Sequence, residues 1–290
     1  MSQTIRDKVT VPGIRARKAS RAGQERIVAL TAYDHPTARA LDRAGADVLL
    51  VGDSLGMVVL GLPSTLSVTL DMMVHHTAAV ARALPRALVV ADMPFLSYHT
   101  GPADAVRNAG RLVQEAGAEA VKIEGGRVRV EVLRALCAAE IPVMGHLGLT
   151  PQSVNVLGGY RVQGKRLSQV EVLVEDARAL EEAGVFAIVL EGMPAAAGAL
   201  ITRSVGVPTI GIGAGPECDG QVLVTHDLIG LGEGASPRFV RRYDEVSRRI
   251  EEAAGRFASD VRAGSFPSPR ESYPATAELD ALEKPDPARR

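Results

Sequence analysis

Four acidic residues stand at the ends of short apolar runs, where their carboxylates could carry out chemistry together. They are Asp53 in VGDSLG, Asp92 in VVADMPF, Glu124 in VKIEGG and Glu191 in VLEGMP. Burying four carboxylates together is unfavourable unless a cation neutralises them or some are protonated. Their convergence would therefore predict a hard divalent metal such as Mg²⁺. Any one of them alone is also compatible with a helix N-cap or a loop carboxylate.

Two basic side chains accompany these acids. Lys122 lies two residues before Glu124, so on a strand the two side chains share a face. An interior lysine needs an anionic partner, which is either one of the carboxylates or a substrate carboxylate or enolate oxygen, and both roles are compatible. His146 directly follows PVMG and could donate a hydrogen bond to a substrate oxygen, although a core histidine satisfied by backbone fits equally well.

Other candidate motifs are weaker. His75 and His76 lie in a helical stretch without a carboxylate at metal-ligand spacing, so they are interpreted as structural or as supporting a site indirectly. The glycine-rich IGIGAG at 210–215 lacks the Lys and Ser/Thr of a P-loop, which favours tight-turn geometry near the site over phosphate binding. GxSxG and HExxH patterns and a Cys/His nucleophile pattern are absent from the sequence.

The elements that must position these residues follow from the hydrophobic pattern. Apolar runs rich in Val and Ile alternate with stretches of helical periodicity, which is typical of repeated βα units on a parallel sheet. Several helical stretches end in a Gly suited to a C-cap. The predicted strands lie near Ile27 to Ala32, Val48 to Gly52, Ala87 to Ala91, Ala120 to Ile123, Pro142 to Gly145, Ala187 to Leu190, Thr209 to Ile212 and Val222 to Thr225.

A single α/β (β/α)₈ TIM-type barrel is the predicted fold, with a doubly wound sheet as the alternative. Polar residues follow strand after strand, whereas a doubly wound sheet would concentrate them at one switch point. We expect the barrel over 26–263, an N-terminal helical extension over 1–25 and a C-terminal arm with a disordered tail over 264–290. The extension carries Lys8, Arg15, Arg17, Lys18 and Arg21, a pattern typical of a solvated helix or a lid over the lower end of the barrel.

Composition excludes several classes of protein. With 33 basic and 34 acidic residues the net charge is −1, which provides no general attraction for nucleic acid or an anionic membrane. Cys137 and Cys218 show neither a CxxC pair nor a metal-type spacing. A charged N-terminus without an apolar core, and the lack of about 18 consecutive apolar residues, disfavour secretion and membrane insertion. The sequence predicts a cytoplasmic enzyme that binds a small metabolite.

Long motifs resemble the ketopantoate hydroxymethyltransferase family. They include LTAYDHPTARALDRAGADVLLVGDSLGMVVLG, AVKIEGG, IPVMGHLGLTPQSVNVLGGYRVQGK, VLEGMP and PTIGIGAGPECDGQVLVTHDLIGL, and the resemblance extends from about Ile5 to Ser268. It implies transfer of a hydroxymethyl group from 5,10-methylenetetrahydrofolate to 3-methyl-2-oxobutanoate, giving 2-dehydropantoate. It also implies Mg²⁺, a place in pantothenate biosynthesis and a homo-oligomer, expected to be a decamer.

The resemblance also implies roles for individual residues. Asp53 and Asp92 become metal-site residues that also contact substrate, and Ser54 contacts the 2-oxo acid. Lys122 becomes a substrate contact, and Glu124 binds the metal directly or through water. Glu191 corresponds to the proton acceptor, while His146 is retained as a substrate-binding candidate. Gly192 departs from the pattern, because many members carry Cys after this glutamate, but one small residue replaces another.

Two alternatives remain. Another Mg²⁺ barrel enzyme acting on 2-oxo acids, of the isocitrate lyase and phosphoenolpyruvate mutase type, would share the fold, but its KxCGH-like loop is missing from this sequence. A catalytically inactive barrel serving as a scaffold or ligand sensor is the second alternative. The intact set of acidic residues together with Lys122 argues against it.

Overall fold

Eight parallel strands close into a barrel in the order of the sequence. The computed structural model describes residues 7–18, 25–232 and 237–280. The strands are β1 Ile27–Thr31, β2 Val48–Val51, β3 Leu88–Asp92, β4 Ala120–Glu124, β5 Val143–Gly148, β6 Ala187–Glu191, β7 Thr209–Ile212 and β8 Gly220–Leu223. The predicted barrel is confirmed, and the doubly wound alternative is wrong because β8 pairs with β1.

Helices follow most of the strands. They are α1 Val11–Ala16, α2 His35–Arg43, α3 Leu55–Val58, α4 Leu70–Ala81, α5 Pro102–Gln114, α6 Val130–Ala138, α7 Val154–Leu157, α8 Leu167–Ala183, α9 Ala195–Ser204, α10 Thr225–Ile229, α11 Val246–Arg262 and α12 Ala277–Asp280. Among the described residues, three short 3-10 helices cover Thr65–Ser67, Arg127–Arg129 and Pro151–Ser153. Within the described residues, we find no helix with the length and apolar character needed to cross a membrane.

Two layers of apolar side chains hold the barrel together. The outer layer joins the strands to the helices through residues such as Val89, Val121 and Leu133. The inner layer fills the barrel with residues such as Leu50, Val90 and Val189. Because side chains alternate along a strand, a polar residue two positions beyond an inner-layer residue also faces the interior.

The strand ends differ slightly from the prediction. The eighth strand runs from Gly220 to Leu223 and thus begins and ends two residues before the predicted Val222 to Thr225. Gly220 pairs with Ile27 on one side and Ile210 on the other. Thr225 instead begins α10, and its hydroxyl donates to the Thr31 carbonyl at 2.5 Å. A hydroxyl that bonds to backbone in this way competes with continuation of the strand.

The chain divides into two compact units. The first contains residues 1–228 and 232–241, which include the barrel, and the second contains residues 229–231 and 242–290. In the second unit, the rings of Phe257 on α11 and Phe266 lie 5.1 Å apart. The tail predicted to be disordered falls partly on residues 281–290, which lie outside the described residues, as does Arg21 of the N-terminal extension.

Candidate active site

A cavity of about 870 Å³ opens among the carboxyl ends of the strands. Cavities of roughly 300 to 1,000 Å³ are typical of small-molecule sites. The structure brings together in its lining all seven residues that the sequence singled out: Asp53, Ser54, Asp92, Lys122, Glu124, His146 and Glu191. In a barrel of this type the catalytic residues come from the ends of several strands at this face.

Strand register explains why the side chains converge. Asp92, Glu124 and Glu191 are the last residues of β3, β4 and β6, each two or four positions beyond an inner-layer residue of its own strand. Asp92 pairs with Lys122 across β3 and β4, and Glu124 pairs with His146 across β4 and β5. The interior-facing rows of the barrel therefore change from apolar to charged within one step along each strand.

Asp53, Asp92 and Lys122 form a buried charged cluster. The ammonium of Lys122 lies 2.7 Å from Oδ1 of Asp92, and the backbone N–H of Asp53 donates to Asp92 Oδ2 at 3.1 Å. All three residues are less than 5% exposed. The salt bridge predicted as one role of Lys122 is present, so its charge is held at the cavity by a carboxylate.

Carboxylates outnumber the single ammonium in and around this cluster. Burial, with Asp92 and Glu124 close by, raises the pKa of Asp53 well above its usual range. Burial alone would lower the pKa of Lys122, but Asp92, Glu124 and Asp53 outweigh it, and that pKa is raised. Lys122 therefore stays protonated, while the carboxylates around it outnumber it. An added cation would relieve this repulsion.

His146 lies between two glutamates. Its Nδ1 is 3.5 Å from Glu124 Oε1 and its Nε2 is 3.3 Å from Glu191 Oε2. Burial and the Lys122 ammonium, 3.4 Å from Nδ1, lower the pKa of His146, but Glu124 and Glu191 outweigh both and raise the pKa to about 9. At neutral pH the ring therefore carries both protons and donates towards both carboxylates. The alternative of a histidine satisfied by backbone alone is wrong.

The donor set fits a hard cation in part. Asp53 and Asp92 offer carboxylate oxygens at one wall of the cavity, and Mg²⁺ is commonly held by one or two carboxylates together with waters and substrate oxygens. Among the described residues, no group of three or more His, Cys, Asp or Glu side chains is arranged to hold a metal ion. Glu124 Oε2 already accepts a hydrogen bond from the backbone N–H of Gln152 at 3.0 Å.

Ser54 is supported by a tyrosine. Its hydroxyl lies 2.8 Å from the Tyr33 hydroxyl, and the Tyr33 carbonyl lies 2.7 Å from Nδ1 of His76. His76 is therefore linked to the site through Tyr33. This contact agrees with the supporting role expected for His76, and neither His75 nor His76 lines the cavity.

Three contributors to this site were not expected from the sequence. Gln152 donates to Asp53 Oδ2 at 2.8 Å and accepts from the Tyr98 hydroxyl at 2.6 Å. Thr65 lines the cavity with a buried hydroxyl that has no hydrogen-bond partner among the described residues. The only sequence signal for Gln152 was its position just after the strand that carries His146. Tyr98, in a loop, and Thr65, at the start of a 3-10 helix, have no such signal.

Glycines shape the rim of the cavity. Gly213, in the IGIGAG segment, has φ +63° and lines the cavity, which confirms the tight-turn interpretation of that motif. Gly192 has φ +58°, and a Cβ there would lie 2.9 Å from Leu149 Cβ. Positive φ favours glycine. Gly192 therefore has a conformational advantage at this position, which its small size alone did not predict.

Similarity to known proteins identifies the family. The family model for ketopantoate hydroxymethyltransferase matches residues 8–269. A 3-methyl-2-oxobutanoate hydroxymethyltransferase from Pyrobaculum islandicum is 57% identical over 251 residues, covering 87% of this chain and 95% of that protein. The protein of the same name from Pelobacter propionicus is 54% identical over 269 residues, covering 93% and 98%.

Solved structures share the fold at low identity. A phosphoenolpyruvate phosphomutase from Streptomyces platensis subsp. rosaceus superposes with a TM-score of 0.59 at 16% identity, covering 94% of this chain and 95% of that chain. A 2,3-dimethylmalate lyase of the PEP mutase/isocitrate lyase superfamily superposes with a TM-score of 0.57 at 18% identity, covering 94% and 97%. The barrel of the competing enzyme type is thus shared, as expected, and at these identities the likeness shows the fold alone.

Proposed function

This chain belongs to the ketopantoate hydroxymethyltransferase family, and we propose that it transfers a hydroxymethyl group from 5,10-methylenetetrahydrofolate to 3-methyl-2-oxobutanoate. The product is 2-dehydropantoate, in the route to pantothenate. One observation carries the proposal: Glu191 lines the same cavity as the Asp53, Asp92 and Lys122 cluster but is not among the groups in contact within it. The cavity therefore offers a base and a separate place for substrate oxygens.

Asp53 and Asp92 would hold Mg²⁺, and Glu124 would bind it directly or through water. When bound, the ion supplies a Lewis acid that stabilises negative charge on the keto oxygen of the 2-oxo acid. Lys122 adds a positive charge at the same wall, and Asp92 holds its ammonium there at 2.7 Å. Ser54 lines the cavity as a further hydrogen-bond donor to the substrate. Both N–H groups of His146 face glutamates, so His146 would contact the substrate without donating to it.

Glu191 is the proposed proton acceptor. Its side chain is 17% exposed, which is more than the 4% of Glu124, so it can reach a substrate in the cavity. His146 Nε2 lies 3.3 Å from Glu191 Oε2, so the other oxygen of Glu191 would be available to accept the C3 proton. C3 then bonds to the methylene carbon of the folate, water supplies the hydroxyl as the carbon–nitrogen bond breaks, and tetrahydrofolate leaves. A positioned base of this kind contributes about 10² to 10⁴ in rate.

A coupled assay tests this function. Purified protein is given Mg²⁺, 3-methyl-2-oxobutanoate and 5,10-methylenetetrahydrofolate, and 2-dehydropantoate is measured by mass spectrometry. We expect product in the complete mixture and none when EDTA is added or the folate is omitted. Full activity in EDTA would exclude the metal mechanism, and lack of product in the complete mixture would exclude the reaction and favour a scaffold or sensor.

The remaining parts of the proposal concern the setting of the enzyme. We propose a cytoplasmic homo-oligomer with closed symmetry, specifically a decamer. Multi-angle light scattering at micromolar protein measures the mass directly, and a monomer at that concentration would contradict this part without affecting the proposed reaction.

A further inference from the structure

Gln152 hydrogen-bonds to residues that line the cavity. It lies in the 3-10 helix Pro151–Ser153, which follows β5, and it is 5% exposed. Its side-chain amide reaches Asp53 and Tyr98, which are 99 and 54 residues away along the chain. Its backbone N–H donates to Glu124 Oε2 at 3.0 Å. One residue thereby touches two of the three carboxylates proposed to bind the cation.

The hydrogen bonds of this group run in one direction. The backbone N–H of Glu124 donates to the Tyr98 hydroxyl at 3.2 Å, and that hydroxyl donates to Gln152 Oε1 at 2.6 Å. The Nε2 group of Gln152 then donates to Asp53 Oδ2 at 2.8 Å and to the Met93 carbonyl at 3.0 Å. Turning the amide over would place its oxygen against two acceptors, so the network fixes its orientation.

We propose that Gln152 is a positioning residue for the cation site. Tyr98 holds the side-chain amide of Gln152, and this amide fixes the direction of the Asp53 carboxylate. By occupying Asp53 Oδ2, the amide directs the other oxygen of Asp53 to a ligand in the cavity. This inference depends on the proposed function in one respect, namely that the ligand is a divalent cation. Residues that orient metal ligands typically contribute about 10- to 100-fold to metal affinity.

A neutral donor is required at this position. Asp53 is already buried near Asp92 and Glu124, so a further carboxylate would add repulsion. An apolar side chain of similar length would remove the repulsion but release Asp53. Gln152→Met therefore tests the hydrogen bonds with little change in volume. Tyr98→Phe removes only the tyrosine hydroxyl. That hydroxyl both holds the Gln152 amide and accepts the hydrogen bond from the Glu124 N–H.

Cation binding can be measured without catalysis. The metal-free full chain is titrated with Mn²⁺ alone, and free Mn²⁺ is followed by electron paramagnetic resonance. We expect the Kd for Mn²⁺ to rise about 10- to 100-fold in Gln152→Met, and to rise by a smaller factor in Tyr98→Phe. Gln114→Met, at an exposed position on α5, is the matched control and should leave the Kd unchanged.

A purely structural role predicts a different outcome. If Gln152 acts by directing Asp53, then raising Mg²⁺ to saturation should restore most of kcat in Gln152→Met, whereas a distorted site would not recover. A folded Gln152→Met with the wild-type Kd for Mn²⁺ would overturn the proposal. If Gln152→Met does not fold, an unchanged Kd in Tyr98→Phe would overturn it instead, and so would a wild-type protein that binds no Mn²⁺.

Failure of the positioning role and failure of the proposed function give different results. Wild-type protein that binds Mn²⁺ with an affinity dependent on Gln152, yet forms no 2-dehydropantoate, would retain the positioning role and exclude the reaction. Protein that forms 2-dehydropantoate while Gln152→Met and Tyr98→Phe keep the wild-type Kd would retain the reaction and exclude the positioning role.

Discussion

The two ends of the barrel use acidic residues in opposite ways. At the lower end Asp47, Glu119 and Asp219 each stand just before a strand, and each forms an ion pair with a base of the N-terminal segment, namely Arg17, Lys8 and Lys18. Each acid also accepts a hydrogen bond from the backbone of a neighbouring strand, at 2.8 to 2.9 Å. Three of the bases expected to be simply solvated are therefore paired.

At the upper end the acids outnumber their partners. Asp53, Asp92, Glu124 and Glu191 share the cavity with Lys122 and the protonated His146. Burial and its carboxylate neighbours raise the pKa of Asp53 there. The ion pairs at the lower end stabilise the fold. At the upper end the excess of carboxylates favours binding of a cation, which could in turn bind an anionic substrate. Substitutions at the two ends should therefore affect different quantities.

The largest effect is expected from Asp53→Ala or Asp92→Ala. We expect either change to abolish activity, because Mg²⁺ and substrate binding are lost together, while the free energy of unfolding changes little for Asp53→Ala. The reason is that burial already disfavours the charged form of Asp53. Turnover, Mn²⁺ binding and thermal unfolding check this. Asp71→Ala, at an exposed acid paired with Arg111, is the control and should keep both binding and turnover.

Glu191→Gln should separate the base from the metal ligands. The amide keeps size and hydrogen-bonding reach, so Mg²⁺ and 3-methyl-2-oxobutanoate should bind nearly as before while kcat falls by about 10² to 10⁴. Exchange of the substrate C3 proton in D₂O, followed by nuclear magnetic resonance, should slow in parallel. Wild-type exchange in this variant would show that another group is the base.

Lys18→Met should affect only the lower end. Its ammonium lies 2.9 Å from Asp219, and the two side chains are 13% and 4% exposed. Removing one partner of so buried a pair should lower the free energy of unfolding by about 3 kcal/mol. Lys8→Met is the matched control, because the Lys8–Glu119 pair is 41% and 37% exposed, and it should cost less than about 1 kcal/mol. Denaturant unfolding measures both, and a large loss of kcat in Lys18→Met at a temperature where it is folded would contradict the comparison.

The smallest expected effect concerns two buried threonines. Within the part of the chain that the structure describes, the hydroxyls of Thr65 and Thr77 are both buried without a hydrogen-bond partner, and of the two only Thr65 lines the cavity. If a bound substrate satisfies the Thr65 hydroxyl, Thr65→Val should raise KM by about 3- to 10-fold, as expected for one hydrogen bond. Thr77→Val should leave KM unchanged. Equal KM values for the two variants would mean that Thr65 does not touch substrate.

Much of this architecture was readable from local sequence patterns. Alternating apolar runs and helical stretches predicted the barrel, and the polar residues at the run ends predicted the cavity lining from Asp53 to Glu191. Both inferences work because the side-chain period of a strand and the shared carboxyl edge of parallel strands are local properties. The family resemblance supplied the expected roles, which charge and spacing alone left open.

Tertiary structure decided how these groups are paired. The segments that follow three different strands bring together Asp53, Tyr98 and Gln152. No local sequence pattern predicts which of these segments contact one another. His146 contacts both Glu124 and Glu191 because strand register and side-chain packing bring them together, and this contact sets its charge at neutral pH. The pairing of Lys18 with Asp219 likewise depends on how the chain closes the barrel. The energy of a charged side chain depends on its burial and on its distance from other charges, and both are defined only in the folded chain. The sequence therefore determines which ionisable groups are present, and the tertiary structure determines their charge and reactivity.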